Sequence, residues 1–227
     1  MIRTTFLALL LLISVSCQPK STKKKAVEAT AKAELPEKTV YTSAQLQEFE
    51  TAYFASGCFW CVEAIFESVK GVKEVVSGYS GGKEENPTYE QVAYGRTSHA
   101  EAVEVYYDPK VISFFQLVQV FFGSHDPTSL NRQGPDRGAQ YRSIAFYKNE
   151  DQKDVIESYI KALEAENVYG RPIVTEVTEF DTFYKAEEYH QDFERKNPNN
   201  SYVRNVSIPR LNRFKENFQD YLKEDAH

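Results

Sequence analysis

The chain has 227 residues, 41% of them hydrophobic, which bounds it to one domain or a small pair with a sizeable core. Its formal net charge of −6 excludes nucleic acid as a partner, since neutralising phosphates needs a clustered basic face. Aromatics reach 14%, with 15 Tyr and 15 Phe against one Trp and one Met, so a core or site lined by rings with hydroxyl tips is expected.

Arg3 precedes an unbroken apolar run from Phe6 to Ile13, followed by Ser14, Val15, Ser16 and Cys17. The run is too short to span a bilayer and reads as a secretory signal. A cysteine directly after small residues resembles a bacterial lipoprotein signal, although Ser14 stands where such signals usually carry Leu. The expected organisation is a signal peptide over 1–16, a lipidated Cys17 and a flexible linker over 17–48, with a plain secretory signal as the alternative. The linker carries Lys20, Lys23, Lys24, Lys25, Lys32 and Lys38 among Ala, Glu and Thr, too little apolar surface to offset its ordering entropy. An exported lipoprotein of the bacterial cell envelope, held at the membrane by its lipid, is therefore expected.

The folded domain is expected over 49–227. Thr51 to Ser56 is a β-prone run closed by Gly57. Phe59 to Val69 has Val62, Ile65, Phe66 and Val69 at helical spacing, and Gly71 ends it. Val72 to Tyr79 reads as a strand, Gly81 to Pro87 as a loop and Thr88 to Ala93 as a short helix. Ala100 to Tyr107 is a strand that turns at Asp108-Pro109. Ile112 to Phe122 is apolar on a helical period, Asn131 to Gln140 is irregular, and Tyr141 to Tyr147 is a strand. A charged helix over Asp151 to Ala165, a strand over Pro172 to Thr178 and a terminal helix over Leu211 to Tyr221 complete the pattern. Strand-helix-strand units of this kind predict the α/β class, a two-layer plait with a ferredoxin-like core and a mixed sheet covered by helices.

Cys58 falls between a strand and a helix. Unpaired N–H groups and the helix dipole favour an anion there by about 1 kcal/mol each, so this thiol is expected to ionise easily. Gly57 permits the sharp turn. Cys61 lies one helical turn on, on nearly the same face, at a spacing compatible with a disulfide. Such a pair is open to three readings: redox-active dithiol, static disulfide or half a zinc site. The four histidines do not cluster, and a disulfide this short adds little stability, so redox chemistry is preferred.

Gly57-Cys58-Phe59-Trp60 with Glu63 resembles the signature of the A-type peptide methionine sulfoxide reductases. Further blocks follow in that family's order: Gly78 to Gly82, Asn86 to Tyr89, His99 to Val103, Tyr107 to Pro109, His125 to Thr128, Asp136 to Gly138 with Gln140 to Ser143, and Ala186 to Gln191. The resemblance covers roughly Ala52 to Tyr202. It implies reduction of methionine-S-sulfoxide, free or in proteins, in a repair role. Cys58 matches the nucleophile, Phe59 and Trp60 the seat of the substrate methyl, and Glu101 the acid. Tyr89 and Tyr141 match tyrosines that hydrogen-bond the oxygen, and Asp136 a carboxylate that shapes the site. Glu63 is expected to serve the helix dipole, and His99 and His190 to play supporting roles.

Many relatives carry Gly or Ser at the position of Cys61 and place resolving cysteines in a C-terminal tail. No cysteine follows Cys61 here. Cys61 is therefore expected to resolve a sulfenic acid on Cys58, with an external thiol as the alternative. A thioredoxin-like donor or a dithiol would recycle the enzyme, with no bound cofactor or metal, and a monomer is expected. Two competing functions remain: a general thiol-disulfide oxidoreductase, and a non-catalytic lipoprotein that binds methionine-rich partners.

Overall fold

The structure, a computed structural model, describes residues 38–224. The expected signal peptide, Cys17 and the linker up to residue 37 lie outside the described residues.

A one-turn helix, α1 (Ser43–Leu46), opens on a Thr42–Gln45 capping box. Then come β1 (Glu50–Ser56), α2 (Phe59–Glu67), β2 (Val72–Ser80), α3 (Tyr89–Ala93), β3 (Ala100–Tyr107) and α4 (Phe114–Gly123). A small hairpin of β4 (Arg132–Gln133) and β5 (Asp136–Arg137) leads to β6 (Ser143–Tyr147) and α5 (Glu150–Ala165). Finally β7 (Glu176–Glu179), β8 (Phe183–Lys185), α6 (Phe193–Lys196) and α7 (Ile208–Asn217) close the chain.

Six strands form one sheet in the order β7-β6-β1-β3-β2-β8. Its centre, β6-β1-β3-β2, is antiparallel and built from β1-α2-β2-β3-α4-β6, the split βαβ arrangement. The β6–β7 pair is parallel, so the sheet is mixed. Side chains alternate across it. Phe54 faces the helices and stacks on Phe66 of α2 at 5.2 Å and on Phe121 of α4 at 5.0 Å. Burying one such ring contributes about 2–3 kcal/mol. Its neighbour Tyr53 faces the other way and stacks on Phe180 at 3.6 Å.

Several boundaries move for local reasons. Helix α4 starts at Phe114 rather than Ile112, because Ser113 caps it: Gln116 N–H donates to Ser113 Oγ at 3.3 Å. The predicted strand at Tyr141 starts only at Ser143. Gly138 takes φ 135° and the Tyr141 amide donates to its carbonyl at 3.0 Å, winding 139–141 into a 3₁₀ turn. The expected strand over Pro172 to Thr178 pairs only from Glu176, and β8 was not foreseen. The terminal helix begins earlier, at Ile208, with Pro209 in its first turn where no donor is missed, and follows a π-helical turn over Val203–Ser207.

Lys38 docks the start of the described chain onto this frame. Its ammonium pairs with Glu67 of α2, with Glu74 of β2 at 2.5 Å and with Asp192 at 2.8 Å. Glu63 lies behind them, 2% exposed, and accepts the Asp192 amide at 3.0 Å. It is thus a buried structural carboxyl, pushed well up by burial, and not the helix-dipole partner expected, since it stands beyond the first turn of α2. Burial opposes the Asp192 charge, yet the hydrogen bond and charge of Lys38, with Arg195, hold its carboxyl down to about 2. Lys38→Ala is expected to cost about 2 kcal/mol by urea denaturation, between the values for exposed and buried pairs. Because the Asp192 value is depressed on folding, this contribution is present above its ordinary 3.8 and fades as pH falls toward 2. An unchanged midpoint at pH 7 would show the ion cluster to be idle.

Candidate active site

The chain leaves β1 through Gly57 at φ 89°, where an added Cβ would stand 2.6 Å from Gln133 Cβ. Cys58 follows as the N-cap of α2, and its carbonyl accepts the amides of Cys61 at 3.1 Å and Val62 at 3.3 Å. The unpaired amide of Phe59 points across to β3 and donates to Glu101 Oε2 at 3.0 Å. This one bond sets the acid beside the thiol. Glu101 is 2% exposed, and burial pushes its carboxyl up to about 8. The Phe59 amide opposes that rise, while the charges of Asp136 and Cys61 add to it. At neutral pH the group is mostly protonated and able to donate.

Rings surround this pair. Phe59 is 1% exposed and lies 5.9 Å from Tyr79, 6.4 Å from Tyr89 and 4.9 Å from His190, centre to centre. Trp60 is half-buried, stacks on Phe193 at 3.7 Å and donates its Nε1–H to His190 Nδ1 at 3.1 Å. Accepting at Nδ1 puts the proton of the neutral imidazole on Nε2. Glu187 ties two of these rings together: it accepts the Tyr89 amide at 2.9 Å and the Tyr79 hydroxyl at 2.8 Å. His99 supports the adjoining loop, accepting the Gly82 amide at 3.1 Å and donating to the Glu84 carbonyl at 2.8 Å.

Tyr89 and Tyr141 are half-buried, and the charges of Cys58, Glu101 and Asp136 bear on both. The 3₁₀ turn that shortens β6 is what takes Tyr141 out of the sheet. Burial pushes the carboxyl of Asp136 up, and the Tyr202 hydroxyl, bound to its Oδ2 at 2.5 Å, opposes this. The same hydroxyl lies 3.9 Å from Cys61 Sγ. The structure thus brings Cys58, Cys61, Phe59, Trp60, Glu101, Tyr89, Tyr141 and Asp136 into one neighbourhood. Among the described residues no group of three or more His, Cys, Asp or Glu could hold a metal ion.

The sequence model of the family described as "Peptide methionine sulfoxide reductase" matches residues 50–222. The chain belongs to the A type of that family. It is 49% identical over 178 residues to peptide methionine sulfoxide reductase MsrA 2 of Synechocystis, covering 78% of this chain and 83% of that protein. With MsrA of Natronomonas pharaonis it shares 49% over 170 residues, 75% of this chain and 96% of that one. Among solved structures, reduced Mxr1 of Saccharomyces cerevisiae superposes with a TM-score of 0.63 at 34% identity, covering 71% of this chain and 91% of that one. Methionine sulfoxide reductase A of Corynebacterium diphtheriae gives 0.59 at 37%, covering 66% and 75%. The chain is accordingly an enzyme, a peptide-methionine (S)-S-oxide reductase, and its α/β fold is that of the family.

Both thiols of the reductase are free and buried. Here the structure differs from the expectation that Cys58 ionises easily. Its side chain makes no capping bond, and Glu101 has taken the Phe59 amide that would have favoured a thiolate. Burial pushes the Cys58 thiol well up, and its hydrogen bond to Cys61 and the charges of Cys61 and Glu101 add to that. Cys61 goes the other way, lowered through the bond from Cys58, against burial, helped by Arg210, Ser207 and Tyr202. The last three were missed in the sequence. Arg210 sits on a polar, amphipathic helix where a charge reads as solvated, and Tyr202 precedes and Ser207 ends a π-helical turn that carries no sequence mark.

Proposed function

We propose that this reductase repairs methionine-S-sulfoxide, free or in exported proteins, by direct attack of Cys58 on the sulfoxide sulfur. Phe59 and Trp60 seat the methyl. Glu101 gives its proton to the oxygen and takes up the proton that the Cys58 thiol sheds on attack, the oxygen being steadied by the Tyr89 and Tyr141 hydroxyls, and Asp136 shapes the same wall. Methionine leaves and Cys58 becomes a sulfenic acid, the first reversible rung of thiol oxidation. Cys61 then attacks Cys58, expels water and leaves a Cys58–Cys61 disulfide. A thioredoxin-like protein or a dithiol returns the pair to thiols, so the electrons come from outside and no bound cofactor takes part.

In this reading residues 1–16 direct export, Cys17 carries a lipid, the stretch before Lys38 serves as a tether, shorter than the expected 17–48 because Lys38 and α1 belong to the folded domain, and the enzyme works as a monomer at the bacterial cell envelope. The observation that carries the reaction is the 3.0 Å bond from Phe59 N–H to Glu101, which holds a protonated acid against the nucleophile inside a ring-lined pocket. The test is a turnover assay on the separate S and R epimers of a blocked methionine sulfoxide, with Cys58→Ser as the blank. Stoichiometric methionine from the S epimer alone is expected. Equal use of both epimers would remove the assigned stereochemistry, and turnover by the blank would remove the nucleophile.

A further inference from the structure

We propose that Lys38 is a positioning residue of the reductase: its ammonium staples the turn at Asp192 to helix α2 and so holds the Phe193 ring against Trp60. The proposal rests on Trp60 seating the substrate methyl. It extends the site to a residue outside the 50–222 stretch that carries the family sequence.

The route of the contacts is the first ground. Lys38 pairs with Glu67, the last residue of the helix that carries Trp60, and with Glu74 of β2 at 2.5 Å. The same ammonium reaches Asp192 Oδ1 at 2.8 Å. Asp192 stands at the start of α6, and the next residue, Phe193, stacks on Trp60 at 3.7 Å with the two rings 9° from parallel. One cation therefore touches both elements that supply the stacked rings. Burial, Asp192 and Glu74 push the Glu67 carboxyl up, and Lys38 opposes them. Without the lysine these carboxylates would face one another, and like charges repel.

The second ground is the shape of the turn. Asp192 takes φ 55°, a left-handed conformation that a residue with a Cβ keeps where its surroundings impose it. The chain just before it is pinned to the sheet. Gln191 accepts the Ser77 amide at 3.0 Å and donates to the Ser77 and Ala186 carbonyls, each at 3.0 Å. That fixes His190, and with it the bond from Trp60 Nε1. From Asp192 onward the holds are different. Its amide donates to Glu63, and its carboxylate pairs with Lys38, with Arg195 at 3.0 Å and with Lys196 at 3.4 Å. Arg195 and Lys196 ride on α6 itself. Among the described residues Lys38 is the one cation that ties this carboxylate to another element.

Trp60 thus has an edge fixed by His190 and a face covered by Phe193, and the two depend on separate anchors. Losing Lys38 loosens the face and leaves the edge bonded. The indole then rocks, and the methyl loses a firm wall. Cys58 and Glu101 keep their own contacts, so substrate binding suffers and the chemical steps do not.

Trp60 is the chain's one tryptophan, so its fluorescence in the full-length reduced enzyme reads the staple without interference. Lys38→Met keeps the apolar stem and drops the charge. Its emission is expected to shift to the red and to become more open to acrylamide quenching. KM for a blocked methionine-S-sulfoxide should rise about threefold to tenfold, the contribution of one aromatic pair, with kcat unchanged. Lys38→Arg should return both quantities toward wild type. Asp192→Asn keeps a turn that asparagine tolerates and drops the other charge. It should move both quantities in the same direction, and adding it to Lys38→Met should change little more, because the two act as one link. Wild-type emission and quenching in folded Lys38→Met overturn the staple, even if the urea midpoint falls. Should that variant fail to fold, wild-type emission in Asp192→Asn overturns it equally. Altered emission with an unchanged KM would instead keep the staple and overturn Trp60 as the methyl seat.

Discussion

Glu101→Gln is expected to lower kcat/KM for the S-sulfoxide by about 10²- to 10⁴-fold, the usual worth of a positioned acid. The substitution is nearly isosteric. A glutamine oxygen still accepts the Phe59 amide now bound at 3.0 Å, so the start of α2 and the seat of Cys58 stay in place. Only the proton is lost. Wild-type activity should fall as pH rises through about 8, because the group is raised on folding and its acid form exists below that value. The glutamine variant should lack that limb. Its stability should also hold better with rising pH. Between the ordinary 4.5 and about 8 the folded wild type binds a proton that the unfolded chain has lost, so wild-type stability declines across that window. Simple thiol-disulfide exchange needs no acid at this position and should be nearly unaffected. Equal loss of both activities would support the rival reading, in which the pair is a general disulfide exchanger.

Cys61→Ser is expected to abolish continuous turnover with a thioredoxin-type donor, after a burst of about one methionine per enzyme. No cysteine follows Cys61 in the chain. The sulfenic acid on a nine-tenths-buried Cys58 lies one helical turn from Cys61, the nearest thiol in the sequence. A small dithiol that enters the pocket should restore part of the turnover, since it can reduce the sulfenic acid directly. Burst amplitude therefore reports the resolving step, separately from the rate of the first reduction. Undiminished turnover with the protein donor would show Cys61 to be a bystander in resolution.

The strand-helix-strand order was legible because apolar spacing and glycines at the turns leave local marks, as at Gly57 and Gly71. Positions where a side chain bonds across the fold left none. The end of β3 could be read from Asp108-Pro109, but the late start of β6 depends on a positive φ at Gly138. Cys58 shows the limit of local electrostatics. A helix N-terminus favours an anion, and the anion it serves is Glu101, which arrives from β3, opposite Tyr79 in the sheet. Arg210 shows the same limit in reverse. Its helix is mostly polar, yet this one charge turns inward, 8% exposed, to the site. Glu63, beside the motif in sequence, was drawn away by Asp192 into the ion cluster under Lys38.

One consequence concerns timing. The backbone N–H that anchors Glu101 is neutral company for a carboxylic acid and much better company for a carboxylate, since a bond to a charged acceptor is roughly twice as strong. The anchor therefore tightens at the instant the proton departs. Each catalytic cycle thus loads a latch at the mouth of α2 that favours delivery over recapture.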